Sequence, residues 1–238
     1  MKINSHPSPN FSPGRSKIVG QSERILAIVN HKTAGKYPGC RDWLCNPKSK
    51  ASAHYLVTRA GRIDQLVADV NTAWHGGIVN KPSWRLYEQI RFNPNRWTIG
   101  IEHEDYDGDG ELGLTEAQYQ ATLWLHKQLI SEYNIPVDAE HIVGHYRIDA
   151  VRRPNCPGPN FPWNRLFNDL KGGASILKAT FDLKEVNVFL NGNKLKNTVI
   201  LAVDGKDTTY IPAVALRAAG DEVTWDPENK SVIIKTRR

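Results

Sequence analysis

Cysteine is scarce in this chain. There are three in 238 residues, an odd number too small for a disulfide framework. At least one thiol is therefore left over for another task. No stretch of 18 or more apolar residues occurs, so no membrane-spanning helix and no membrane partner are expected. The opening, MKINSHPSPNFSPGRSK, is polar and rich in proline and serine. It lacks the apolar core of a secretory signal, so export is expected to need another route. A dense basic block is also missing: the net charge of +6 divides evenly, +3 over residues 1–170 and +3 over 171–238. Nucleic-acid binding wants Lys and Arg gathered on one face, so no nucleic-acid partner is expected. A diffuse positive excess suits an anionic polymer such as a cell wall.

What is present reads as a folded chain in two parts. RILAIVNH (Arg24–His31) is an unbroken apolar run and predicts a strand buried on both faces. HYLVTRAGRIDQLV (His54–Val67) predicts a hairpin turning at Arg59-Ala60-Gly61-Arg62, and WTIGIEHE (Trp97–Glu104) another short strand. Thr115–Asn134 predicts a helix, with Thr115 and Gln118 at capping spacing and Ala117, Ala121, Trp124, Leu125 and Leu129 at helical spacing. HIVGH (His141–His145) predicts a strand and Pro162–Leu170 a closing helix that begins on proline. KGGAS, residues 171–175, follows as the linker between a domain at 1–170, with a polar leader at 1–23, and a module at 176–238. In that module VNVFLNGN alternates, TVILAVDGKDTTY suggests strand and turn, Pro212–Gly220 a short helix, and VTWDPENKSVII a hairpin around Asp226–Asn229.

The chemistry concentrates in GHYRIDAVRRPNCPG, Gly144–Gly158. His145 and Cys156, joined by His31 at the end of the first strand, make two imidazoles and a thiolate. That set suits Zn²⁺ with a fourth position left for water, the open shell of a catalytic site. A structural zinc would need a fourth protein ligand, and Cys40 or Cys45 could provide one. Glu102, at the end of TIGIE, reads either as a solvated strand-end carboxylate or as a general base beside the metal. His103 should point to the opposite face of that strand, and His141 reads as a bystander or as a partner behind the metal ligands. DYDGDGELGLTE (Asp105–Glu116) matches a calcium loop, with Asp105, Asp107, Asp109, Glu111 and Glu116 as the acidic groups. The expectation is a Ca²⁺ ion pinning this loop beside Glu102, against the plain alternative of a solvated acidic turn.

RILAIVNHKTAG, SAHYLV, TAWHGG, NPNRWTIGIE, TEAQYQ, IVGHYRID and NCPG occur in that order. Together they resemble the zinc-dependent N-acetylmuramoyl-L-alanine amidases of the type 2 amidase and peptidoglycan recognition protein superfamily, over roughly Arg24–Leu170. The resemblance implies an α/β fold, a central mixed β-sheet flanked by helices, here followed by a small β-rich α+β module. It implies His31, His145 and Cys156 as the zinc ligands and Glu102 as the catalytic base. It places His54, Trp74 and His75 along the substrate groove, and bacterial peptidoglycan as the partner. Many relatives carry a lysine two residues before the last ligand; this chain has Pro154 there, so Arg153 or Arg152 is expected to supply the positive charge. The implied activity is cleavage of the amide between N-acetylmuramic acid and L-alanine. The role implied is a phage endolysin, folded in the host cytoplasm and reaching the wall through a holin. A bacterial autolysin, a non-catalytic peptidoglycan-binding module and a structural-zinc protein are the rivals.

Residues 176–238 resemble the copper amine oxidase N-terminal-like (stalk) domain through VFLNGNKL, YIPAVALRAAG and VTWD. Residues 171–238 contain no His, Cys or Met, so copper has no preferred ligand there, and wall attachment or an accessory role is expected, against the plain alternative of an inert stabilising domain.

Overall fold

The computed structural model describes residues 1–15, 25–106 and 112–172, together with short strands between 189 and 235. The chain divides into two compact units, Met1–Ser175 and Ile176–Arg238. Among the described residues no helix is long and apolar enough to cross a membrane.

The polar opening belongs to the fold. Strand β1 (Ile3–Ser5) and strand β2 (Phe11–Ser12) both pair with later parts of the chain. Ser8 Oγ donates to Leu44 O at 2.6 Å, and Asn10 Nδ2 lies within donating distance of Leu44 O, Asn46 O and Ala51 O. These side chains satisfy buried carbonyls, which is how a segment without apolar periodicity can still be sealed into a structure.

Strand β3 (Ala27–Lys32) lies inside the sheet, paired along both edges, with Ala27, Ile28 and Val29 at 0% exposure. Helix α1 (Gly39–Leu44) leads to β4 (Tyr55–Val57) and β5 (Ile63–Gln65), which form the expected antiparallel hairpin. Its turn needs Gly61: φ is +79°, and a Cβ there would meet Ala117 O at 2.8 Å. After β6 (Thr72–Ala73), the partner of β2, come α2 (Arg85–Ile90) and β7 (Thr98–His103). Helix α3 (Glu116–Tyr133) starts where Thr115 accepts from Gln118 N and stops at Asn134, whose φ of +53° ends it. Strand β8 (Ile142–Gly144) and helix α4 (Trp163–Leu170) complete the unit.

The sheet order is β1-β5-β4-β7-β3-β8, a mixed sheet with β4, β7, β3 and β8 parallel. Ile28, Ile99 and Ile101 face α3 and pack on Ala121, Leu125 and Leu129. Burying each of these leucines contributes roughly 1.5–3 kcal/mol. Ala27 and Val29 face the other way, onto Trp84, Trp97, Val143 and Ile148. His31 is two residues beyond Val29, so the period of the strand carries it to this second face. The fold is thus α/β with a central mixed sheet flanked by helices.

In the second unit β9 (Phe189–Leu190) lies between β10 (Asn193–Lys194) and β14 (Ser231–Lys235), and β13 (Glu222–Asp226) closes that sheet. The β13–β14 pairing, Asp226 opposite Ser231, is the hairpin expected around Asp226–Asn229. β11 (Leu201–Ala202) pairs with β12 (Thr209–Tyr210). The helix expected at 212–220 lies outside the described residues.

Candidate metal centre

Three parallel strands end together. His31 stands opposite Glu102 in register, and Asn30 opposite Gly144, so His145 continues β8 beside His31. The loop after β8 returns Cys156 to the same place: Tyr146 N donates to Cys156 O at 3.1 Å, and Cys156 N to Arg153 O at 3.2 Å. Gly144 is needed for that return, because a Cβ there would meet the Tyr146 ring at 2.6 Å and Pro157 at 2.7 Å.

The donor atoms converge. His31 Nδ1 is 3.0 Å from His145 Nδ1 and 4.0 Å from Cys156 Sγ, and the three ligand atoms lie within 4.8 Å of one another. On a tetrahedral zinc, two nitrogens stand ~3.3 Å apart and a nitrogen and sulfur ~3.6 Å, so both separations from His31 are within about half an ångström of a bonded set, while the 4.8 Å span of the three leaves about 1 Å to close on binding. All three side chains are buried, at 2%, 8% and 5% exposure. Burial holds His31 well below the usual imidazole range, helped by His145, His75, His103 and Arg153. Burial and then Arg153 bring His145 down to about 4. Both rings are therefore neutral, the form that ligates. Cys156 is pushed up to about 12, by burial first and then Glu102, while the Lys32 backbone N–H and the Lys32 and Arg153 charges oppose the rise. A cation among the three donors is what such a thiol needs to ionise. The set fits zinc.

Glu102 is partly exposed, yet its Oε2 is out of water and has no hydrogen-bond partner among the described residues. Burial raises its pKa to about 8 against the pull of Arg153. In the metal-free protein the folded carboxyl stays neutral while the unfolded one ionises near the ordinary value of 4.5, so stability is lost as pH climbs from there to about 8. Glu102→Gln removes that loss. Metal-free Glu102→Gln is expected to gain on the parent by ~1–2 kcal/mol between pH 4 and pH 8.5, after discounting for its partial exposure. Urea melts at the two pH values check it, and an unchanged difference contradicts it.

Arg153 is exposed, and its charge reaches His31, Glu102, His145 and Cys156. Lys32 was missed in the sequence, although its place directly after His31 puts its backbone N–H beside the thiol.

Two of the expected groove residues lie inside the protein. His54 has 0% exposure; its Nδ1 accepts from Gly100 N at 2.9 Å and its Nε2 faces Asn71 O at 3.2 Å, so it packs the interior. His75 lies behind His31, its Nδ1 3.1 Å from His31 Nε2, and burial takes it down to about 3. Trp74, half-buried, donates through Nε1 to Ser12 Oγ at 3.1 Å and ties β6 to β2. His103 is on the opposite face as expected, its Nδ1 2.9 Å from His31 O, and His141 pairs with Asp138 at 2.8 Å.

The acidic loop gives no support to calcium. Glu116, the expected last ligand, is held by Arg165 through two 2.7 Å contacts and by Gln120, because it sits in the first turn of α3 facing α4. Asp105 is buried, with its N–H on Thr33 Oγ1 at 3.1 Å, and Asp107, Asp109 and Glu111 lie outside the described residues. Cys40 and Cys45 are free thiols, and among the described residues neither joins the His31–His145–Cys156 cluster.

The family model described as Amidase_2, N-acetylmuramoyl-L-alanine amidase, matches residues 21–159, a span that holds His31, Glu102, His145 and Cys156. The N-acetylmuramoyl-L-alanine amidase AmiD of Escherichia coli K12 is 33% identical over 182 residues, 71% of this chain and 59% of that protein. The 1,6-anhydro-N-acetylmuramyl-L-alanine amidase AmpD of Salmonella typhimurium SL1344 is 39% identical over 116 residues, 49% of this chain and 55% of that protein. The chain thus spans a little over half the length of these curated relatives. A selenomethionine AmpD derivative superposes with a TM-score of 0.54 at 28% identity, covering 71% of this chain and 93% of that one. AmiD from E. coli, in complex with anhydro-N-acetylmuramic acid-L-Ala-D-γ-Glu-L-Lys, gives 0.52 at 32% identity, covering 64% and 60%. None of these matches supports the stalk-domain resemblance of residues 176–238. The family match spans more than half of the sequence and contains every residue of the buried donor cluster: the chain belongs to the N-acetylmuramoyl-L-alanine amidase (Amidase_2) family.

Proposed function

We propose that the protein is a zinc-dependent peptidoglycan amidase that hydrolyses the amide between the lactyl carbonyl of N-acetylmuramic acid and L-alanine. The observation that carries this reading is the convergence of two neutral imidazoles and one thiol beside a carboxyl group in register with His31. His31, His145 and Cys156 would hold the ion. Zinc supplies Lewis acidity, which acidifies water and polarises an amide carbonyl.

The protein's own groups do the rest. Glu102 takes a proton from the attacking water as its oxygen bonds to the carbonyl carbon. The same carboxyl then delivers that proton to the departing nitrogen as the carbon–nitrogen bond breaks. The products are a muramic acid carboxylate and the free amino group of L-alanine. Arg153, exposed beside the cluster, adds positive potential where the carbonyl oxygen gains charge.

The test is to incubate purified wall with protein and score new L-alanine amino termini. A wall-binding module without chemistry would pellet with wall and release none. The endolysin role is a narrower proposal, resting on the sequence resemblance, and so is its route through a holin. It predicts that intact sacculi are cut at least as fast as soluble anhydro-muropeptides; the reverse preference would contradict it. For residues 176–238 we propose wall attachment, supported by their forming a separate unit beyond the family match. Deleting them should reduce pelleting with wall and spare hydrolysis of a soluble substrate, and unchanged pelleting would reject it.

A further inference from the structure

Behind the donor cluster runs a chain of hydrogen bonds with a direction. Thr98 Oγ1 donates to Pro94 O at 2.7 Å, and a hydroxyl has one proton to give. Towards His75 Nε2, 3.2 Å away, the same oxygen can only accept, so His75 carries its proton on Nε2. The lone pair of this buried, neutral ring is then on Nδ1, 3.1 Å from His31 Nε2, which must be the donor. His31 is left with its own lone pair on Nδ1, the nitrogen that faces His145 Nδ1 at 3.0 Å and Cys156 Sγ at 4.0 Å. The His31 and His75 rings meet edge to face, with centroids 5.1 Å apart and planes at 84°.

A second, independent observation concerns Gly100. Thr98, Gly100 and Glu102 share one face of β7, and a Cβ on Gly100 would come within 2.4 Å of His75 Cγ and 2.7 Å of its Nδ1 and Cδ2. Glycine at that position is what lets the His75 ring reach His31.

We propose that His75 is a positioning residue: with Thr98 as its anchor and Gly100 making room, it fixes His31 as the Nε2–H tautomer and so selects Nδ1 as the metal-binding nitrogen. This rests on the zinc reading of the cluster. Partners of this kind hold ring orientation and tautomer, and losing one lowers metal affinity by about 10–100-fold.

The experiment has two readouts besides turnover: the imidazole ¹⁵N shifts of His31 in the metal-free protein, and the zinc Kd by competition with a chromophoric chelator. In the parent protein His31 should show a protonated Nε2 and an unprotonated Nδ1. His75→Phe should give mixed tautomers and a Kd raised about 10–100-fold. Thr98→Val and Gly100→Ala should shift both readouts in the same direction. His75→Asn, which can place a carbonyl oxygen near the position of Nδ1, should restore most of the affinity; a merely structural loss would not be rescued this way. An Nδ1–H tautomer in the parent protein overturns the proposal without any variant. So does His75→Phe with unchanged tautomer and Kd. If the parent protein fails to bind zinc, the metal reading falls, while the tautomer measured without metal still decides the relay.

Discussion

Glu102→Ala is expected to release L-alanine amino termini from wall about 10²–10⁴-fold more slowly than the parent and to bind zinc as the parent does. The size follows from the role: a positioned general base and acid is worth that range. Glu104, two residues on and just past the end of β7, is already committed, its Oε1 accepting from Tyr37 N at 2.9 Å and its Oε2 from Arg59 N at 2.8 Å. Glu102 is not one of the three converging donors, so its loss leaves the metal ligands in place. Glu102→Gln keeps the shape and removes the base, and should be as slow as the alanine variant. Metal content measured beside rate separates the two roles; a variant retaining more than about a tenth of the parent rate would show that Glu102 is not the proton carrier.

Cys156→Ala carries the other large effect. It removes the only sulfur of the cluster and leaves two neutral imidazoles, so zinc should be lost at micromolar free metal, and hydrolysis with it. The parent thiol sits at about 12 in the metal-free protein, so zinc must displace a proton to bind its sulfur. Apparent affinity should therefore rise at least roughly tenfold per pH unit between pH 6 and 8, with one proton released per ion from the thiol and any further release from Glu102. His31 and His145 add nothing to this slope, since burial already keeps both neutral there. Cys156→Asp replaces the thiol by a more acidic group and should bind zinc with a shallower pH dependence. Calorimetry in buffers of different ionisation heat measures the released proton; a flat profile in the parent would mean that Cys156 stays protonated and outside the metal's reach.

The features that could be read from sequence share one property: their physical cause is local. An unbroken Ile-Leu-Ala-Ile-Val run predicts a doubly covered strand, and Thr115 with Gln118 predicts where α3 begins, since both depend on neighbours a few residues away. The donor set was legible by chemical type, because two imidazoles and a leftover thiol have few other uses together. Contacts set by strand register were hidden. Nothing in TAWHGG says that His75 lands behind His31, because that depends on β7 pairing with β3 and on Gly100 leaving a gap. His54 is buried by a bond to Gly100 N from 46 residues away, and Glu116 is claimed by Arg165 from 49 residues away. The contacts of the opening segment were hidden for a different reason: Ser8 and Asn10 are buried through hydrogen bonds to backbone carbonyls, which leave no apolar pattern.

The account stands on an ion held by these three side chains with one position left for solvent. X-ray absorption at the zinc edge of the metal-loaded protein tests this directly. The expected spectrum has one sulfur at ~2.3 Å, two imidazole nitrogens at ~2.0–2.1 Å and a single further light atom, and the sulfur signal vanishes in Cys156→Ala. A shell with two or more sulfurs, or one whose sulfur survives that substitution, would mean that Cys40 or Cys45 closes the site and that the centre is structural rather than hydrolytic.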